Sequence, residues 1–91
     1  MNVVRPRRDA PYPCPCCGFR TLEERGMSEI CPVCFWEDDG QDEHDADDVR
    51  GGPNRELSLT RARRNFAASG ACHPRYLAHV RDPLPAEHPI T

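Results

Sequence analysis

Two C-x2-C pairs constrain this chain more than anything else in it. Cys14-Pro15-Cys16-Cys17-Gly18 is followed by Cys31-Pro32-Val33-Cys34, and thirteen residues separate Cys17 from Cys31. Two residues between thiols allow a tight backbone knuckle that presents both sulfurs to one ion, about 2.3 Å from each. Pro15 and Pro32 preset φ for those turns. Gly18 permits a positive φ after the first pair, which would let backbone N–H groups face the sulfurs. Phe35 stands at the equivalent place after the second pair, so that knuckle is expected to be less regular. The predicted ligands are therefore Cys14, Cys17, Cys31 and Cys34. Four thiolates close a tetrahedral shell with no open position, which describes one structural Zn2+. Iron in the same sulfur cage is the less favoured metal.

Length explains why such a clamp is needed. Ninety-one residues form one domain, and a chain of this size buries only about 60% of the surface its unfolded form exposes. Hydrophobic residues are 37% and charged residues 30%, so a metal cross-link would do part of the work of a core. A large enzyme with a deep cleft is excluded, as is a membrane helix, because no run of about 18 apolar residues occurs. Met1 to Asp9 carries basic residues without an apolar stretch behind them, so it does not read as a secretory signal. A cytoplasmic location is expected, where cysteine clusters mean metal more often than disulfide.

All twelve cations are Arg and the formal net charge is −3. An all-Arg set suggests GC-rich coding and a bacterial source. Eight carboxylates and no Lys or Arg lie between Glu37 and Asp48, whereas Arg50 to Arg81 holds seven Arg against Glu56 alone. The acidic run fails the EF-hand register and reads as a solvated or Arg-facing loop. An acidic whole disfavours nucleic acid as the partner without removing it.

Along the chain, residues 1–11 form a flexible arm, 12–82 the domain and 83–91 a Pro-rich tail. Residues 18–22 and 27–30 alternate apolar and polar, which predicts a β-hairpin over 18–31, between the cysteine pairs. Gly51-Gly52-Pro53-Asn54 breaks the chain before a helix predicted over 58–69. Ser58 is its N-cap, Leu59, Ala62 and Phe66 form its apolar stripe, and Gly70 is its stop. Leu59 and Phe66 are expected to pack on Phe19, Ile30 and Trp36, with Phe35 and Trp36 lying beside the sulfur cage. Arg61, Arg63 and Arg64 oppose the helix dipole, and the acidic loop folding over them would be the remedy. Cys16 reads as an outward-pointing filler and Cys72 as a small buried hydrophobe. His44, His73, His79 and His88 read as surface residues. The architecture is thus α+β: a zinc-ribbon-like hairpin, irregular loops and one helix.

Several segments together resemble the bacterial cysteine-rich CPCC family. They are Tyr12-Pro13-Cys14-Pro15-Cys16-Cys17-Gly18 and Glu29-Ile30-Cys31-Pro32-Val33-Cys34-Phe35-Trp36-Glu37-Asp38-Asp39-Gly40-Gln41. Gly52-Pro53-Asn54, Leu57-Ser58-Leu59, Ala62-Arg63 and Asn65-Phe66 extend the likeness to about residue 70. The resemblance implies a small zinc-binding domain in which Phe35 and the acidic stretch belong to the pattern. It implies no activity. No nucleophile–base pair, phosphate loop or dinucleotide fingerprint is present. The expected function is therefore a non-enzymatic module that binds another protein, with no catalytic residues and no membrane contact. The alternatives are a thiol redox protein using Cys16 with Cys14 or Cys17, and a nucleic-acid-binding zinc ribbon.

Overall fold

Each C-x2-C pair folds as a tight turn with its flanking residues running back alongside one another. The computed structural model describes residues 10–89; most of the predicted arm and the last two residues of the tail lie outside them. Strand β1 (Tyr12–Pro13) pairs antiparallel with β2 (Arg20–Leu22), Tyr12 opposite Leu22 and Pro13 opposite Arg20, with an irregularity between the two pairs. The second pair is flanked in the same way. Ile30 bridges to Glu37, the Asp38 N–H donates to the Glu29 carbonyl at 2.8 Å, and Ser28 N–H donates to Asp38 at 2.9 Å.

This corrects the hairpin expected over 18–31. Residues 20–22 pair backward across the first knuckle and residues 28–30 pair forward across the second. The alternation of 18–22 and 27–30 reports extended chain but not its partner. A knuckle reverses the chain within four residues, so the segments it joins are each other's nearest neighbours. Glu23 to Met27 then merely links two knuckle-tipped hairpins. Glu29 braces that link, its carboxylate accepting from the Glu23 and Glu24 N–H groups at 3.1 and 2.7 Å.

Helix α1 (Leu59–Ser69) forms where its signals stand. Ser58 Oγ accepts from the Arg61 N–H at 3.0 Å, and Gly70 ends the helix at φ 93°. Leu59 and Ala62 are fully buried, in one cluster with Trp36, Leu22, Val33, Leu57 and the cysteines. Phe66 meets Phe19 edge-on, with ring centres 6.4 Å apart. Ile30, expected under this helix, is instead 48% exposed and outside the buried cluster. Residue 30 follows a period-two register in which Cys31 turns inward, so Ile30 turns out.

After α1 the chain crosses the second knuckle. Cys72 N–H donates to the Cys34 carbonyl at 2.7 Å and Asn65 Nδ2 donates to the Cys72 carbonyl at 2.9 Å. A 3-10 turn over Pro74–His79 follows, and Arg81 N–H donates to the Pro32 carbonyl. The Pro-rich segment is extended at Val80 and Leu84, closes one 3-10 turn over Pro85–Glu87, and sets His88 edge-on against Phe19 at 5.2 Å. Among the described residues, no helix is long and apolar enough to cross a membrane. The fold is α+β, with one two-stranded antiparallel pairing, one main helix and irregular loops.

Candidate metal centre

The two knuckles share one backbone design. In the first, Cys14 N–H donates to the Phe19 carbonyl and Gly18 N–H to the Cys14 carbonyl, both at 2.8 Å. In the second, Cys31 N–H donates to Trp36 at 2.9 Å and Phe35 N–H to Cys31 at 2.8 Å. Gly18 has φ 83° and Phe35 has φ 71°. The second knuckle is therefore as regular as the first, and the irregularity expected from Phe35 is corrected. Phe35 tolerates the left-handed conformation because its ring is held, 4.7 Å from Tyr76 and 5.2 Å from His79. Gly18 takes the positive φ expected of it, and its own N–H goes to the Cys14 carbonyl.

Facing knuckles bring the four predicted sulfurs together. Their ligand atoms all lie within 4.8 Å of one another. Cys14 and Cys34 Sγ are 3.6 Å apart, and Cys17 and Cys31 Sγ 3.7 Å. A tetrahedron with metal–sulfur bonds of about 2.3 Å has edges of about 3.8 Å, so these spacings fit one tetrathiolate ion. A disulfide needs about 2.05 Å, and all six cysteines are free thiols. Cys14, Cys31 and Cys34 are buried and Cys17 is partly so. Among the described residues these four form the one His, Cys, Asp and Glu group suited to holding an ion.

Four thiols packed this closely share their protons unequally. Hydrogen bonds from Cys14, then Cys17 and Cys34, hold the Cys31 thiol far below its ordinary range, and the Thr21 hydroxyl 3.0 Å away assists. The same sharing pushes Cys14 up, chiefly through Cys17, and Cys34 up, chiefly through Cys14. Such a cage carries little negative charge unless a cation supplies the compensation. Thr21 was not legible as a partner, since only the pairing of β2 turns its side chain toward Cys31.

Cys16 is 7% exposed, which corrects the expectation that it points outward. It belongs to the buried cluster with Cys34 and Cys72. Cys72 is 1% exposed, as expected, and burial pushes its thiol up to about 12. Trp36 is fully buried and its indole N–H has no partner among the described residues, whereas Phe35 stays half-exposed over the second knuckle. Of the histidines, His44, His79 and His88 are exposed, and His73 is half-buried as the N-cap of the Pro74–His79 turn.

The acidic segment turns out to be a brace around this centre. Asp38 is fully buried and accepts from Arg25 Nε at 2.9 Å, Gly26 N–H at 2.8 Å and Gly40 N–H at 3.2 Å. Arg25 Nη2 lies 2.9 Å from Asp42 Oδ2, an ion pair whose N–H is not aimed for a hydrogen bond. Gln41 Nε2 donates to the Asp45 and Asp48 carbonyls at 2.7 and 2.6 Å, closing the loop on itself. Asn54 behaves as a strand partner for Glu37: it accepts from the Glu37 N–H at 3.1 Å and donates to its carbonyl at 2.7 Å. Read as a solvated loop and a breaker, these segments hid their buried Asp38, Gln41 and Asn54. The expected fold of the loop over α1 occurs at Arg63, which pairs with Glu43 at 2.5 Å and donates to the Pro15 carbonyl at 2.8 Å.

No curated protein and no solved structure matches the chain. The family described as Cysteine-rich CPCC matches residues 12–87, taking in both knuckles, the acidic brace, α1 and most of the Pro-rich segment. Because the match covers most of the chain and the cage it encloses is fully assembled, this protein belongs to the cysteine-rich CPCC family.

Proposed function

We propose that this chain is a non-enzymatic module, folded around one structural Zn2+, that acts by binding another protein. The observation that carries the reading is the sulfur cage. Four thiolates from facing knuckles complete a tetrahedral shell and leave no position for substrate or water. Bound zinc would supply the charge that lets all four sulfurs ionise, and Cys14, Cys17, Cys31 and Cys34 would hold it. Structural zinc contributes roughly 10–16 kcal/mol in finger peptides, ample for a fold of this size. Zinc suits an all-thiolate tetrahedral site; iron is the competitor that elemental analysis distinguishes.

The alternatives receive less support. A redox thiol needs solvent access, and of the candidate thiols Cys16 and Cys14 are buried and Cys17 is only partly exposed. A nucleic-acid surface needs a cluster of uncommitted cations, yet Arg25, Arg63, Arg75 and Arg81 each face a carboxylate within 3 Å, so Arg61 stands beside a helix neighbour, Arg63, that is already paired.

Two measurements test the proposal. Purified protein should contain one zinc per chain, lost on C31S substitution and retained on C16A. The metal-loaded chain should capture a protein partner that a C31S chain does not. Iron as the native metal, a folded zinc-free chain, or nucleic acid captured in place of protein would overturn it.

A further inference from the structure

Outside the metal centre, a cleft of about 290 Å3 opens between the start of α1 and the segment after its end. Glu56, Leu57, Arg61, Asn65 and His73 line it. Leu57 is 3% exposed and gives it an apolar floor. The polar groups differ sharply in what they have left to offer. Glu56 is tied to Arg75 at 3.0 Å, and Asn65 Nδ2 is given to the Cys72 carbonyl. His73 Nδ1 accepts from the Arg75 N–H at 3.1 Å, so the neutral ring carries its proton on Nε2 and donates from there. Arg61 is exposed, and its guanidinium has no hydrogen bond or ion pair among the described residues. An arginine in the first turn of a helix opposes the dipole, so its guanidinium gains from any anion it meets.

The geometry points to this cleft as the seat of a carboxylate-bearing peptide segment of the partner, anchored by Arg61 and His73. The inference rests on the protein-binding reading above. Arg61 offers a planar fork that suits a carboxylate bidentately, and His73 Nε2–H supplies a second donor. Asn65 Oδ1 remains as an acceptor for a peptide N–H. Charge selects among anions. Glu56 at the rim raises the cost of a phosphate dianion, and the Asp47–Thr60 hydrogen bond brings the acidic loop to the same end of α1, against a polyanion. A single carboxylate carries half the charge of a phosphate dianion and meets each objection at about half strength.

The test uses the full zinc-loaded chain, isotopically labelled, titrated with acetyl-Leu-Glu-amide and observed by NMR. Saturable shifts are expected at Leu57, Arg61, Asn65 and His73, with a Kd on the order of 1 mM for so small a probe. Acetyl-Leu-Gln-amide should bind at least tenfold more weakly, as should R61Q with the acidic probe. R64Q, on the same helix but outside the cleft, should bind normally. Inorganic phosphate should bind more weakly than the acidic dipeptide. The idea is overturned by equal affinity for the Glu and Gln probes, by unchanged affinity of R61Q, by tighter phosphate binding, or by no saturable shift at tens of millimolar probe. Any of these with an intact zinc-loaded spectrum removes the cleft and leaves the zinc module standing.

Discussion

Phe35 occupies in the second knuckle the place that Gly18 occupies in the first, with φ 71° against 83° and the same N–H to cysteine carbonyl bond at 2.8 Å. One chain thus meets one conformational demand in two ways. Glycine meets it without strain, whereas phenylalanine accepts about 1–2 kcal/mol of left-handed strain in return for its contacts with Tyr76 and His79.

That equivalence orders three variants. At Gly18 an added Cβ meets nothing within 4 Å among the described residues, so G18A should lose about 1 kcal/mol through φ alone. F35G should lose only about 0.5 kcal/mol, because two ring contacts worth about 0.5–1.5 kcal/mol each vanish while about 1–2 kcal/mol of strain is relieved. F35A keeps the strain and loses the rings, so it should fall about 1 kcal/mol below F35G. Urea unfolding of the metal-loaded proteins gives the order, and F35A as stable as F35G would refute the shared design.

Chelation should abolish the cooperative unfolding transition. Thiolates hold the ion and protons compete for them, so metal binding releases protons and affinity falls as pH falls. Thermal unfolding with metal present should therefore move to lower temperature on acidification, in parallel with metal release. A metal-free chain that melts like the loaded one contradicts the cage as the source of stability.

The buried Arg25–Asp38 pair gives a test of the brace. Removing one partner leaves an uncompensated buried charge, so D38N should lose about 3–5 kcal/mol, softened by Asp42 at the far end of Arg25. The R25M/D38L double variant should lose less than D38N, since the only charge left without its partner is the partly exposed Asp42. Equal losses in single and double variants would show that the carboxylate serves only its bonds to Gly26 and Gly40.

Asn54 closes the side of the second hairpin with two hydrogen bonds to the Glu37 backbone. N54A should lose about 2 kcal/mol through those bonds and the desolvated groups left behind. Faster amide exchange should be confined to Glu37 and its neighbours. A loss below about 0.5 kcal/mol would mean that water replaces the side chain freely.

The Pro-rich segment should loosen in acid. Arg81 holds Glu87 with two 2.8 Å bonds, and this pair, chiefly, keeps the Glu87 carboxyl below its usual range. A depressed carboxyl stabilises the fold above its unfolded pKa, and that contribution is lost as pH falls through the folded value. Loss of the His88 ring shift on Phe19 below the ordinary glutamate range, earlier in high salt, is the expected NMR signature.

Short-range rules carried the reading as far as they reach. Cys14, Cys17, Cys31 and Cys34 were legible because ligand spacing is a local property, and α1 because Ser58, Gly70 and the Leu59–Ala62–Phe66 stripe are local too. Strand pairing was not, since residues 18–22 alternate identically whichever neighbour they meet. The burial of Asp38, Gln41 and Asn54 was equally hidden. A polar residue is assigned to the surface unless its partners are known, and Arg25 lies thirteen residues from Asp38.

What the amino-acid order determined by itself is the sulfur set, the helix and its ends, and the α+β class, because each is written in spacings of a few residues. Only the tertiary structure decided which way each hairpin pairs, that Phe35 repeats Gly18, that Cys16 is buried, and that Arg61 and His73 share a cleft. Those outcomes depend on which distant groups the facing knuckles bring within bonding distance, and no local pattern encodes that.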